Sequence, residues 1–118
     1  MEFRGAHHVS LNVTDLGVAV RFSTEVLGLD LLERPDFPFP GARLAAGCQQ
    51  IHLLGVDEFD APEGQHFALQ VDDIDATVLT PAERGAATSP PREVAGVCRQ
   101  AFLRDPAGNL IELNQPLT

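Results

Sequence analysis

The chain contains no lysine, no tyrosine and no tryptophan; all eight of its basic residues are arginine. Schiff-base chemistry on a lysine amine and general-base chemistry by a tyrosine phenol are therefore excluded. Four histidines remain as the side chains that titrate near neutrality without help. Cysteine is scarce too. Cys48 and Cys98 stand fifty positions apart with no C-x-x-C spacing, which reads as two free, partly buried thiols in a reducing cytoplasm. No stretch approaches the roughly 18 apolar residues of a membrane span, and Met1 to Gly5 opens no signal-peptide run. A cytoplasmic, soluble protein is the expectation.

Positive charge is in short supply. Seventeen acidic against eight basic residues give a net charge of −9, which repels nucleic-acid phosphates and anionic membranes and leaves a small molecule as the expected partner. With 118 residues, 44% of them apolar and 21% charged, the chain can bury a core and is long enough for one compact domain.

Its organisation is a repeat. His8-Val9-Ser10-Leu11-Asn12-Val13-Thr14-Asp15-Leu16 aligns with His66-Phe67-Ala68-Leu69-Gln70-Val71-Asp72-Asp73-Ile74 at a constant offset of 58. His, Leu, Val and Asp coincide at 8/66, 11/69, 13/71 and 15/73. Two modules follow, about 5–56 and 66–116, joined by the acidic stretch Asp57 to Gln65. Its Asp60, Pro62 and Gly64 are linker chemistry.

Each module opens with period-two patterning, hence a strand. In the first, a cap at Thr14 or Asp15 starts a helix with the stripe Leu16, Val20, Ser23, Val26 and Leu27, ended by Gly28. In the second, a cap at Asp72 or Asp73 starts a helix expected to be shorter or interrupted near Pro81. Strands are expected at 29–33, 42–46 and 50–56, then at 93–94, 99–104 and 110–114. Asp105-Pro106-Ala107-Gly108-Asn109 reads as a hairpin connection. The order is strand, helix, three strands, twice.

Parity then sorts the faces. Val9, Leu11, Val13, Phe67, Leu69 and Val71 should face the helices. His8, Ser10, Asn12, His66, Ala68 and Gln70 should lie on the opposite, polar faces. Glu112 and Asn114, between Ile111 and Leu113, belong to a polar face, as does His52 between Ile51 and Leu53. A carboxylate set between two core residues is costly without a partner, and a metal or another cation would resolve that cost. His7 has the opposite parity to His8 and reads as a surface residue.

These residues carry a resemblance. His8-Val9 through Asp15-Leu16, Val26-Leu27-Gly28-Leu29, His66 through Ile74, and Asp105 through Leu113 together resemble the vicinal oxygen chelate superfamily of glyoxalases, bleomycin-resistance proteins and extradiol dioxygenases. The resemblance spans about Gly5 to Pro116. It implies an α+β fold of paired βαβββ modules whose sheets form a cup around a divalent metal. It implies His8, His52, His66 and Glu112 as the ligands, with Zn, Ni, Co, Fe or Mn as the candidate ions. Ser10, Asn12, Gln70, Phe102 and Asn114 would line the substrate pocket, and loops such as 34–43 and 87–97 would set specificity.

The activity implied is a glyoxalase-type lyase or isomerase acting on a small oxygenated metabolite through an enediolate-like intermediate, with Glu112 as the base. Asn12 stands where glutathione-using glyoxalases tend to carry an arginine, which speaks against glutathione. The absence of tyrosine speaks against an extradiol dioxygenase, and the absence of lysine and tyrosine against a fosfomycin thiol transferase. The contrasting expectation is a non-catalytic binding or resistance protein with Phe37, Phe39 and Phe102 as apolar walls. Small members of the group imply a homodimer, with modules paired either within or between chains.

Overall fold

A computed structural model describes residues 1–117 of the chain. It is α+β and divides into two compact units, the first Met1–Phe59 and the second beginning at Asp60. The boundary falls inside the linker expected from the sequence.

In the first unit, β1 (His8–Val13) is followed by α1 (Leu16–Arg21), β2 (Asp30–Leu32), β3 (Gly41–Ala46) and β4 (Gln49–Gly55). They form one mixed sheet in the order β1-β4-β3-β2, with β1 parallel to β4 and the other pairs antiparallel. The second unit repeats this with β5 (His66–Gln70), α2 (Ile74–Glu83), β6 (Arg92–Val94), β7 (Cys98–Arg104) and β8 (Leu110–Pro116). Its sheet order is β5-β8-β7-β6, again with the first and last strands parallel. A strand that crosses over through a helix returns parallel, whereas the hairpin-linked strands must be antiparallel.

The alternation of apolar side chains fixes one buried face per sheet. Beneath α1 lie Val13, Ala42, Leu44, Ile51 and Leu53; in the second unit Ile74 of α2 is buried with Ala101, Leu103, Ile111 and Leu113. Both helix starts are capped by the second candidate. Asp15 accepts from the Val18 N–H at 3.1 Å and Asp73 from the Ala76 N–H at 3.2 Å. The second helix is tied down further. The Gln115 side chain accepts from the Ile74 N–H at 2.8 Å, and Arg99 grips Asp75 through two bonds of 2.6 and 3.0 Å.

The first helix departs from its expected stripe. After Arg21 it widens into a π-helical segment, Phe22–Val26, with the Leu27 N–H bonded to the Phe22 carbonyl. Ala19, Phe22 and Ser23 are buried while Leu16, Val20, Val26 and Leu27 are only half-buried, and the wide turn shifts the register of the residues that follow it. The second helix departs the other way. It runs through Pro81 without interruption, because the proline is its eighth residue of ten and only the bond from that one missing N–H is lost. Cys98 is buried as expected, but Cys48 is exposed at the β3–β4 turn.

The 105–109 connection is a compact hydrogen-bonded turn. Asp105 Oδ1 accepts from the N–H groups of Ala107 (3.0 Å) and Asn109 (2.7 Å), while Oδ2 accepts from the Asn109 amide at 2.9 Å. Gly108 takes φ +94°, a conformation that glycine reaches without strain.

Candidate functional site

The polar face of the second sheet carries the best-defined constellation. Parallel pairing sets Ala68 opposite Glu112 and Gln70 opposite Asn114, and antiparallel pairing sets Phe102 opposite Glu112. His66, Gln70, Phe102, Glu112 and Asn114 therefore share one face, where parity placed all of them except Phe102.

His66 and Glu112 meet directly, with Nε2 3.1 Å from Oε1. The other ring nitrogen of His66, Nδ1, lies 2.8 Å from the Gly64 carbonyl. A carbonyl only accepts, so Nδ1 carries the proton and the tautomer is set. Nε2 then addresses the carboxylate in one of two chemical forms: as a second N–H of an imidazolium, or through its lone pair with a cation held between the two atoms. Two donors each about 2.1 Å from one metal ion lie roughly 3.0–3.4 Å apart for bond angles of 90–109°, so the observed spacing fits a metal as well as a proton. A backbone carbonyl on the far nitrogen is also how proteins orient a histidine ligand.

Glu112 is only 8% exposed. Its burial is compensated without any external group: Asn114 donates to Oε2 at 2.7 Å, and His66 lies at Oε1. The Phe102 and His66 rings pack in a T-shaped arrangement, with centroids 5.7 Å apart at 81°.

The polar face of the first sheet is built from imidazoles. Ser10 is paired with His52, and Asn12 with Leu54. His8 and His52 stack with ring centroids 3.9 Å apart at 14°. His52 Nε2 lies 2.8 Å from the Gln50 side-chain oxygen, which also accepts from Arg43 at 2.8 and 3.3 Å. The arginine can only donate, so the shared atom is the acceptor and His52 Nε2 carries its proton. Burial, reinforced by His8, Arg43 and His7, holds the His52 pKa below its ordinary value.

An imidazole binds a metal in its own ring plane. Two nearly parallel stacked planes do not converge on one ion, so His8 and His52 would have to unstack to serve as ligands together. His66 and Glu112 fit a metal as they stand. Among the described residues no group of three or more His, Cys, Asp or Glu side chains is gathered as a metal-binding set; what is gathered is two pairs.

Three participants escaped the sequence reading. His7 is exposed but not isolated, since its Nδ1 lies 2.9 Å from His8 Nδ1. Gln50 and Arg43 form the chain that fixes His52. Arg43 was legible in principle: the tight turn around Gly47 pairs Ala46 with Gln49, and counting back places Arg43 opposite His52.

Comparison with known proteins bears on what these faces do. Residues 5–113 match the Glyoxalase/Bleomycin resistance protein/Dioxygenase superfamily. A protein of Vibrio cholerae named "probable lactoylglutathione lyase" is 36% identical over 121 residues, covering 92% of this chain and 88% of its own. A chloroplastic protein of the same name from Arabidopsis thaliana is 35% identical over 90% of this chain, which spans only 34% of that longer protein. Among solved structures, the antibiotic-binding protein TnmS3 of Streptomyces sp. CB03234 superposes with a TM-score of 0.80 at 33% identity, with 98% of each chain covered.

Proposed function

Because the chain belongs to the glyoxalase/bleomycin resistance protein/dioxygenase superfamily, we propose that it is a metal-dependent lyase or isomerase of glyoxalase type acting on a small oxygenated metabolite. The name borne by its whole-length bacterial relative supports this reading. The observation that carries it is the His66–Glu112 pair, 3.1 Å apart with the tautomer of His66 already fixed by Gly64.

His66 and Glu112 would hold a divalent ion of the Zn, Ni, Co, Fe or Mn group. When bound, the ion supplies Lewis acidity toward two neighbouring substrate oxygens. Glu112 is the proton carrier: its carboxylate takes a proton from one carbon and returns it to the adjacent carbon, with no net gain or loss of atoms. Asn114 orients that carboxylate through Oε2. Phe102 packs against His66, and Gln70 presents a hydrogen-bonding group to the substrate from the same face. Asn12 supplies no guanidinium for an anionic thiol cofactor, so glutathione is not part of this proposal. The assembly proposed is a homodimer, and a monomeric mass in solution scattering would contradict it.

A second reading, a binding protein without catalysis, is favoured by the likeness to TnmS3. Metal analysis separates the two. The lyase reading requires a stoichiometric divalent ion that is lost in His66→Ala. If the purified protein takes up no such ion, and His66→Ala leaves small-molecule binding intact, the binding reading stands instead.

A further inference from the structure

The polar face of the first sheet carries a feature that the proton-transfer chemistry does not use. Arg34 is held by three contacts. Its guanidinium carbon lies 5.0 Å from the Phe37 ring centroid and 4.9 Å from that of Phe39, and its Nη2 donates to the Phe39 carbonyl at 2.7 Å. The two rings are parallel within 3°, with centroids 5.4 Å apart.

Gly41 makes room for this arrangement. A Cβ there would meet the Leu53 carbonyl oxygen at 2.7 Å and the Arg34 guanidinium nitrogens at 3.0 and 3.1 Å. Gly41 shares its face of β3 with Arg43, two residues on, so both arginines work on the side of the sheet that carries His52.

Arg34 and Arg43 line one cavity of about 550 Å³ together with Glu33 and Pro35. Two arginines thus line it with a single acidic residue, in a chain whose net charge is −9. Neither arginine forms an ion pair among the described residues, where the salt bridges are His66–Glu112 and Arg99–Asp75. Arg43 spends two N–H donors on Gln50, out of the five a guanidinium has. A cation already fixed by stacking loses little freedom when it binds, and a planar guanidinium matches a carboxylate in two-point geometry. Phe37 and Phe39 remain 45% and 47% exposed beside it.

We propose that this cavity is a carboxylate-binding pocket, in which Arg34 and Arg43 hold the anionic group of a small molecule and the Phe37–Phe39 pair takes its apolar part. As a binding site it stands on the first unit's residues alone.

The test is titration of the full chain with phenylacetate and with its neutral counterpart phenylacetamide, followed by calorimetry and amide NMR. Phenylacetate is expected to saturate and to shift resonances of Arg34, Phe37, Phe39 and Arg43, with phenylacetamide at least about tenfold weaker. R34Q and R43Q should each weaken phenylacetate about tenfold or more, R34K should keep part of the affinity, and G41A should behave like R34Q. His66→Ala should leave phenylacetate affinity unchanged, so that loss of the metal-site reading and loss of this one are told apart. Equal affinity for acid and amide, or no saturation by phenylacetate, would overturn the pocket from the wild-type chain alone. So would unchanged affinity in R34Q and R43Q variants that melt as the wild type does.

Discussion

His52 and Glu112 hold the same place in their two sheets. Each is paired with the residue two positions beyond the histidine that opens its unit, His52 with Ser10 and Glu112 with Ala68. The repeat has therefore kept the position and changed the chemistry. An imidazole stacked on His8 stands in one unit, and a carboxylate bonded to His66 stands in the other.

The imidazole has a pH signature. Burial and the neighbouring His8, Arg43 and His7 lower the His52 pKa, so in the native state the neutral ring is favoured relative to the unfolded chain. Above about pH 6.5 neither state protonates it and no stability is lost. As pH falls through 6.5 toward the lowered native pKa, the unfolded chain binds the proton first and stability drops. In metal-free buffer, melting temperature should fall less between about pH 7.5 and 5.5 in His52→Gln than in wild type. An equal fall in both would remove His52 from the account.

The carboxylate has a kinetic signature. Glu112→Gln keeps the shape and the contact with Asn114 but removes the proton acceptor, and general-base loss is worth roughly 10²–10⁴ in turnover. Steady-state kinetics on the glyoxalase-type substrate should show that fall in kcat. Asn114→Ala, which leaves the carboxylate itself in place, should cost far less in kcat.

How much of this was legible beforehand follows from where the physics is local. The offset of 58 and the strand parity put His8, His52, His66 and Glu112 on polar faces, because period-two alternation is a property of sequence. Each helix start was legible as a pair of candidate caps, Thr14 or Asp15 and Asp72 or Asp73, because polar side chains before an apolar stripe mark a helix start; the choice of Asp15 and Asp73 came from the structure. The π-helical turn at Phe22–Val26 was not, since an apolar stripe reads alike for either helix until the packing chooses a register. The stacking of His8 on His52, and the seating of Arg34 across Gly41, depend on rotamers and on a contact made in three dimensions. No spacing rule encodes them.

The 105–109 turn should prove the stiffest loop. Asp105 is 8% exposed and accepts three bonds within five residues. Asp105→Ala leaves those donors without their acceptor and should cost about 2–4 kcal/mol, summing a lost charged acceptor and the buried donors it strands. Urea unfolding measures this, and a loss below about 1 kcal/mol would show that the bonds are replaced by water.

Helix capping makes a smaller, paired prediction. Asp15→Ala and Asp73→Ala each remove one side-chain acceptor at a helix start and should each cost about 1 kcal/mol. Asp73→Ala should be the milder of the two, because Gln115 still holds the Ile74 N–H. The comparison of their urea midpoints tests that order.

The central claim, that His66 and Glu112 are built to share a divalent ion, is tested most directly by anomalous diffraction from crystals grown with manganese or cobalt. The account predicts one anomalous peak lying about 2.0–2.3 Å from both His66 Nε2 and a Glu112 carboxylate oxygen, with the His66 Nδ1 bond to the Gly64 carbonyl retained. Well-ordered crystals in which the 3.1 Å His66–Glu112 contact persists with no anomalous density between or beside the two atoms would contradict it.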